Sequence, residues 1–140
     1  MKARRIVLGV TGGIAAYKVA DLASKLTQGG AQVDVVMTAA ATRFVTPLTF
    51  QALTGRPVWT DLWTPTPETA LPHVVLGEAA ELVVIAPATA DFIAKMAHGL
   101  ADDLLSALCL STRAPILIAP AMDAGMWAHP ATQENVERLR

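Results

Sequence analysis

Along the chain, apolar residues collect into four short runs: Ile6 to Val10, Ala31 to Met37 with its Val33, Val35 and Val36, Leu82 to Ala86 and Pro115 to Ala119. The continuous hydrophobicity of Ile6 to Val10 is the pattern of a strand covered on both faces. Between the runs the apolar spacing becomes helical. Ile14 to Lys25 carries Ile14, Val19 and Leu22, with Leu26 continuing the stripe, and Gly29–Gly30 stops it. Thr46-Pro47 has the form of an N-cap with proline at the first helical position, and opens a helix to about Leu53 that Gly55 closes. Further helices are predicted from about His73 to Ala79, Ala90 to His98, Ala101 to Leu110 and Pro130 to Arg140. Asp102–Asp103 stands at the start of the fifth of these, where carboxylates suit the helix dipole.

Proline punctuates the rest. Pro87 and Pro120 are expected to end the third and fourth strands. From Arg56 to Pro72 the chain holds Pro57, Pro65, Pro67 and Pro72 with Trp59 and Trp63. It reads as an ordered loop that wraps the domain, because tryptophans are costly to expose. The segment Met122 to Trp127 reads as a loop. Regular alternation of strand and helix predicts one α/β domain, a doubly wound parallel sheet with helices on both faces. The carboxyl ends of its four strands then carry Gly12–Gly13, Thr38, Pro87–Asp91 and Pro120–Asp123 to a single rim, where ligands gather in such sheets.

The glycine pair has two readings. After a buried strand and before a helix it can cradle a phosphate on free backbone N–H groups, or simply make a tight turn. Gly9, Gly12 and Gly13 fit neither the G-x-G-x-x-G fingerprint nor a P-loop.

Composition narrows the class. The 140 residues are 53% apolar and 16% charged, with a net charge of −1. Such an apolar chain suggests substantial subunit contacts, yet no apolar run reaches the roughly 18 residues of a membrane span. The charge balance points to neither nucleic acid nor an anionic membrane. No secretion signal is expected ahead of Arg4–Arg5. The single cysteine, Cys109, permits no internal disulfide and fits a reducing cytoplasm. It lies among Leu104, Leu105, Leu108 and Leu110, as a buried structural thiol would. His98 at a helix end reads as structural and His129 as surface. The three histidines lack a paired spacing, so no metal is expected.

The stretches GVTGGIAAYK, MTAAATRFV, LPHVVLGEAAELVVIAPATADFIAKMAHGLADDLL and PAMDAGMW together resemble the flavin-dependent cysteine decarboxylases, nearest the coenzyme A branch of that family. The resemblance covers essentially the whole chain. It implies an FMN-binding, Rossmann-like three-layer domain assembled as a trimer or a dodecamer of trimers, with the flavin at a subunit interface and a synthetase domain fused or separate. It implies carboxy-lyase chemistry: FMN-dependent decarboxylation of 4′-phosphopantothenoylcysteine to 4′-phosphopantetheine. By the same resemblance His73 is the catalytic base, Gly12, Gly13 and Ile14 belong to the phosphate-side loop, Thr38 and Phe44 lie beside the flavin, and Ala88, Thr89 and Asp91 form the second flavin-binding turn. Met122, Asp123, Met126 and Trp127 are implied to face the substrate. An imidazole suits the role of base because its ordinary pKa lies near neutrality.

Two positions depart from the family pattern. Asp123 stands where the family has an asparagine that binds the substrate carboxylate, and an ionised carboxylate has no hydrogen to donate. No counterpart of the family's substrate clamp, with its cysteine, precedes Arg140, and Cys109 does not match it. Residues 1–140 are therefore expected to be the FMN-binding decarboxylase domain without its carboxy-terminal clamp. The alternatives are a flavin-binding subunit without independent catalysis and a decarboxylase of carboxy-terminal peptidyl cysteine.

Overall fold

The computed structural model describes residues 3–63 and 71–140. Four parallel strands, β1 (Arg5–Val10), β2 (Gln32–Met37), β3 (Leu82–Ala88) and β4 (Ile116–Pro120), form one sheet in the order β2-β1-β3-β4. Seven helices accompany them among the described residues: α1 (Ala16–Gln28), α2 (Pro47–Thr54), α3 (Pro72–Ala79), α4 (Ala90–His98), α5 (Leu104–Ser111), α6 (Ala124–Ala128) and α7 (Pro130–Leu139). None of these helices is long and apolar enough to cross a membrane.

Strand side chains alternate between two cores, as the pleat requires. Leu8, Val10, Val33, Val35, Met37, Val84 and Ala86 pack with Ala16, Val19 and Ala23 of α1 and Phe50 of α2. On the other face Val7, Val36, Val83 and Ile85 pack with Leu76 of α3, Phe92 and Ile93 of α4, and Leu104, Leu105 and Leu108 of α5. That second core accounts for Gly9. A Cβ there would lie 2.6 Å from Leu105 Cδ1 and 2.8 Å from Ile85 Cδ1. Cys109 is partly covered by the same core, and burial pushes its thiol up to about 12, with the charge of Asp103 adding to the shift.

Between α2 and α3 the chain must change faces, and it does so around the β2 edge. Trp59 N–H donates to Val35 O and Met37 N–H to Trp59 O, each at 2.9 Å, so this segment blunts an otherwise open edge. Asp34, only 4% exposed, is held there by Arg5 (3.0 Å) and Arg56 (2.8 Å). The expectation of two covered tryptophans holds for Trp59 alone. Trp63 is 83% exposed, in a turn where its N–H donates to Asp61 Oδ1 at 2.8 Å. Pro65 and Pro67 of the predicted wrapping loop lie outside the described residues.

Several boundaries differ from expectation for identifiable reasons. Pro87 does not end β3, because the register with β4 shifts between Ile85 and Ala88, and an irregularity there asks no ladder N–H of the proline. Helix α5 begins at Leu104 rather than Ala101, since Asp103 is its cap. Met122 to Trp127 is not wholly a loop: α6 occupies five residues of it. Ile14 precedes α1 and is 73% exposed, so it is no part of the buried stripe.

Candidate functional site

After β1 the chain moves to one side, to β2, and later returns to the other side of β1 as β3. The strand order therefore reverses at β1/β3, and a crevice opens outside the carboxyl ends at such a point. A cleft of about 970 Å³ lies there. It is lined by Thr11 to Ala15 after β1, Thr38 to Ala40 after β2, Thr89 to Phe92 and Lys95 after β3, and Ala121 to Asp123 after β4, with Asp103 and Met126.

The loops are pinned to one another. Thr11 is 1% exposed; its Oγ1 donates to Pro87 O and accepts from Thr89 N–H at 3.0 Å. One hydroxyl thus joins the β1 turn to the β3 turn across the crevice. Gly12 joins the β1 turn to the β2 turn. A Cβ on it would lie 2.3 Å from Ala40 Cβ and 2.9 Å from Ala40 C, so the close approach admits only glycine. Gly13 has more room, its ideal Cβ meeting Pro87 and Thr89 at 3.7 and 3.8 Å. Thr38 closes the second turn: its N–H donates to Val10 O at 3.0 Å, and its Oγ1 accepts from Ala41 N–H at 3.2 Å.

Four helix N-termini reach this cleft, and three are already satisfied. Thr89 Oγ1 accepts from Phe92 N–H at 3.1 Å at the start of α4, which also has Asp91 in its first turn. Asp103 Oδ1 accepts from Ser106 N–H at 2.7 Å in a capping box on α5. Asp123 Oδ1 accepts from Met126 N–H at 2.8 Å on α6, a cap that an asparagine oxygen makes equally well. Helix α1 has neither a side-chain cap nor an acidic residue in its first turn. In the turn that leads into it, the amides of Gly12, Ile14 and Ala15 donate to no protein oxygen among the described residues. Unpaired N–H groups ahead of the positive end of a thirteen-residue helix are an arrangement that suits an anion.

Lys95 is the one cation among the lining residues. Its Nζ lies 3.3 Å from Asp102 Oδ1 and 3.7 Å from Asp91 Oδ2. Burial works against its charge, but the Asp102 hydrogen bond and the charges of Asp91, Asp103 and Asp102 outweigh burial, and its pKa is raised.

Of the residues singled out from the sequence, Gly12, Gly13, Ile14, Thr38, Thr89, Asp91, Met122, Asp123 and Met126 meet at the cleft. Four do not line it. Ala88 is fully buried behind the β3 turn, and Phe44 is half exposed beyond the 3-10 turn Ala41–Arg43. Trp127 faces a second groove of about 380 Å³ with Ile93, Ile116, Ile118 and Val136. His73, at the start of α3, is half-buried, with Nδ1 enclosed and without a hydrogen-bond partner among the described residues. Sequence reasoning missed Thr11 and Lys95. The hydroxyl between an apolar strand and a glycine pair was a signal for the first, and a lysine one turn after Asp91 and shortly before Asp102 for the second.

The chain matches the Flavoprotein family over residues 1–140. It is 53% identical over 136 residues to the coenzyme A biosynthesis bifunctional protein CoaBC of Vibrio cholerae, covering 97% of this chain and 34% of that protein. CoaBC of Mycobacterium tuberculosis H37Rv is 52% identical over 137 residues, covering 98% and 32%. The chain thus spans about a third of the length of these curated relatives. Among solved structures, the FMN-dependent cysteine decarboxylase SpaF superposes with a TM-score of 0.92 at 42% identity, over 98% of this chain and 79% of that one. A PPC decarboxylase mutant complexed with pantothenoylaminoethenethiol gives a TM-score of 0.83 at 26% identity, over 99% and 78%.

Proposed function

Because the chain belongs to the flavoprotein family, we propose that the cleft holds FMN and that the protein decarboxylates 4′-phosphopantothenoylcysteine to 4′-phosphopantetheine in coenzyme A biosynthesis, in the cytoplasm. The observation that carries this reading is the uncapped start of α1 facing a cleft of about 970 Å³, large enough for a flavin mononucleotide. The residues fit the group. The amides of Gly12, Ile14 and Ala15 would take the phosphate, and Thr38 and Thr89 flank them. Met122 and Met126 supply apolar lining for a ring system.

When bound, FMN supplies reversible two-electron chemistry at the cysteinyl carbon–sulfur unit, so that a thiocarbonyl can accept the electron pair left by departing CO₂. The chain's own part is to orient, exclude water and move a proton. Met122 and Met126 would cover the reacting face. Asp123, with one oxygen committed to the α6 cap, leaves the other for a substrate donor or a protonated contact. His73 would be the base. Since it does not line the cleft of its own chain, it would serve the cleft of a neighbouring copy, in a trimer or a dodecamer of trimers with the flavin at the interface. Exposed Ile14, Tyr17, Phe44 and Leu48 support such an assembly, as does the unpartnered His73 Nδ1. In the longer CoaBC relatives the partner domain would be the synthetase half.

The test is CO₂ release from 4′-phosphopantothenoylcysteine by the full-length, FMN-loaded protein, alongside a peptide ending in cysteine. Release from the first substrate alone supports the assignment, and release from the peptide alone moves the protein to the peptidyl-cysteine branch. A yellow protein inactive on both is a flavin-binding subunit without independent catalysis. His73→Asn should keep the flavin spectrum and lose turnover.

A further inference from the structure

We propose that Lys95 sets the reduction potential of the flavin in the cleft, by holding a fixed ammonium against the end of the cavity that receives the ring. The inference rests on the flavin reading given above. The cleft has two chemically different ends. One, after β1 and β2, carries Gly12 to Ala15 and Thr38 to Ala40, small except for Ile14; the other, after β3 and β4, carries Lys95, Met122 and Met126. Phosphate belongs at the first, by the free amides of α1. The isoalloxazine ring belongs at the second, where Lys95 of α4, after β3, stands beside the β4 turn that bears Met122.

Two features suit this lysine to electrostatic work. It is held: the side chain is 22% exposed, with the ammonium between Asp102 at 3.3 Å and Asp91 at 3.7 Å. It also has capacity left. An ammonium has three donors, and only the Asp102 contact lies within hydrogen-bond reach. The oxidised ring is neutral; taking up two electrons and one proton leaves it with one negative charge. A positive group nearby favours that product, and in a partly buried cleft the attraction is screened far less than in water. The neighbouring carboxylates moderate the effect. They fix the ammonium, and they also offset part of its field, so the Lys95–Asp102 pair acts as a unit whose net charge the ring senses.

This predicts opposite shifts for the two partners. In full-length protein loaded with FMN, Lys95→Gln should lower the ratio of reduced to oxidised flavin at a given potential about tenfold, about 30 mV for a two-electron couple. Lys95→Arg should restore it. Asp102→Asn, which leaves the ammonium in place and removes a compensating charge, should raise the potential. Equilibration against reference dyes reads all four proteins without substrate. Should Lys95→Gln fail to retain FMN, the sign of the Asp102→Asn shift decides. A Lys95→Gln protein that holds FMN at the wild-type potential, or an Asp102→Asn potential that is unchanged or lower, overturns the inference while leaving the flavin site intact. A wild-type protein that takes up no FMN overturns both.

Discussion

Replacing Thr11 tests whether the two central loops are held by one hydroxyl. The side chain is 1% exposed, donates to Pro87 O and accepts from Thr89 N–H at 3.0 Å. Thr11→Val keeps the shape but removes both bonds and strands two polar groups of the β3 turn. Each bond is worth about 1 kcal/mol, and a stranded buried group costs about 1–3 kcal/mol where water cannot reach it. The cleft gives solvent partial access, so a total near 2–3 kcal/mol is expected. Thr11→Ser keeps both bonds and loses one buried methyl, about 1 kcal/mol. The difference between the two variants, about 1–2 kcal/mol, isolates the hydrogen bonds from the packing. For a chain of 140 residues it corresponds to roughly 3–8 °C in Tm. Urea unfolding of both variants, followed by circular dichroism, measures it. A Thr11→Val protein as stable as Thr11→Ser would refute the claim that this hydroxyl joins the loops.

Gly12→Ala drives a methyl to 2.3 Å from Ala40 Cβ and 2.9 Å from its carbonyl carbon; about 1–3 kcal/mol of stability should be lost, with FMN affinity falling more than in Gly13→Ala, and equal losses in the two would refute the distinction. Ile14→Asp puts a carboxylate at the uncapped start of α1 on a 73% exposed side chain; stability should hold or rise by up to about 1 kcal/mol while affinity for FMN drops well beyond that for riboflavin, as titration of each ligand will show. Cys109, its thiol pushed up to about 12, should resist iodoacetamide at pH 8 in the folded protein and react on unfolding. By linkage its contribution to stability is complete below about pH 9 and declines from there towards pH 12, where only the unfolded chain's thiol has ionised. Asp34→Asn removes a 4% exposed carboxylate from Arg5 and Arg56; because both guanidiniums are about one-third exposed and can rehydrate, the loss should be about 2 kcal/mol rather than the 3–5 kcal/mol of a fully buried pair, read from chemical denaturation.

What was legible in the sequence follows the physics of burial. The four strands were plain because each is a short run dominated by Val, Ile and Leu, and α2 because Thr46-Pro47 and Gly55, the latter at φ 70°, punctuate its ends. The same rules failed where one residue had two uses. Pro87 was read as a stop for want of an N–H, yet the β3/β4 irregularity asks for none. Asp103 was read as a charge in a first turn when it is the cap itself. Asp123 is the cap of a helix too short for periodicity to reveal. Thr11 and Lys95 depend on what folding brings opposite them, Pro87 in one case and Asp102 in the other, and local pattern holds no record of that.

The arrangement of caps answers the objection that carboxylates in the cleft would repel the proposed phosphate. Asp91, Asp103 and Asp123 all line it, against one lysine, and a count of formal charges would argue for repulsion. But Asp103 and Asp123 are spent on the N–H groups of Ser106 and Met126, and Asp91 stands in the first turn of α4 beside Lys95. Each therefore faces the positive end of a helix, where its charge is largely offset. What remains unbalanced at the rim is the start of α1, with three free amides and no acidic residue in its first turn. Of the four helices that begin at the cleft, α1 alone has no side-chain cap. The strand order puts that helix beside the β1/β3 crevice, and Gly12 lets the turn that leads into it pack directly against Ala40 after β2.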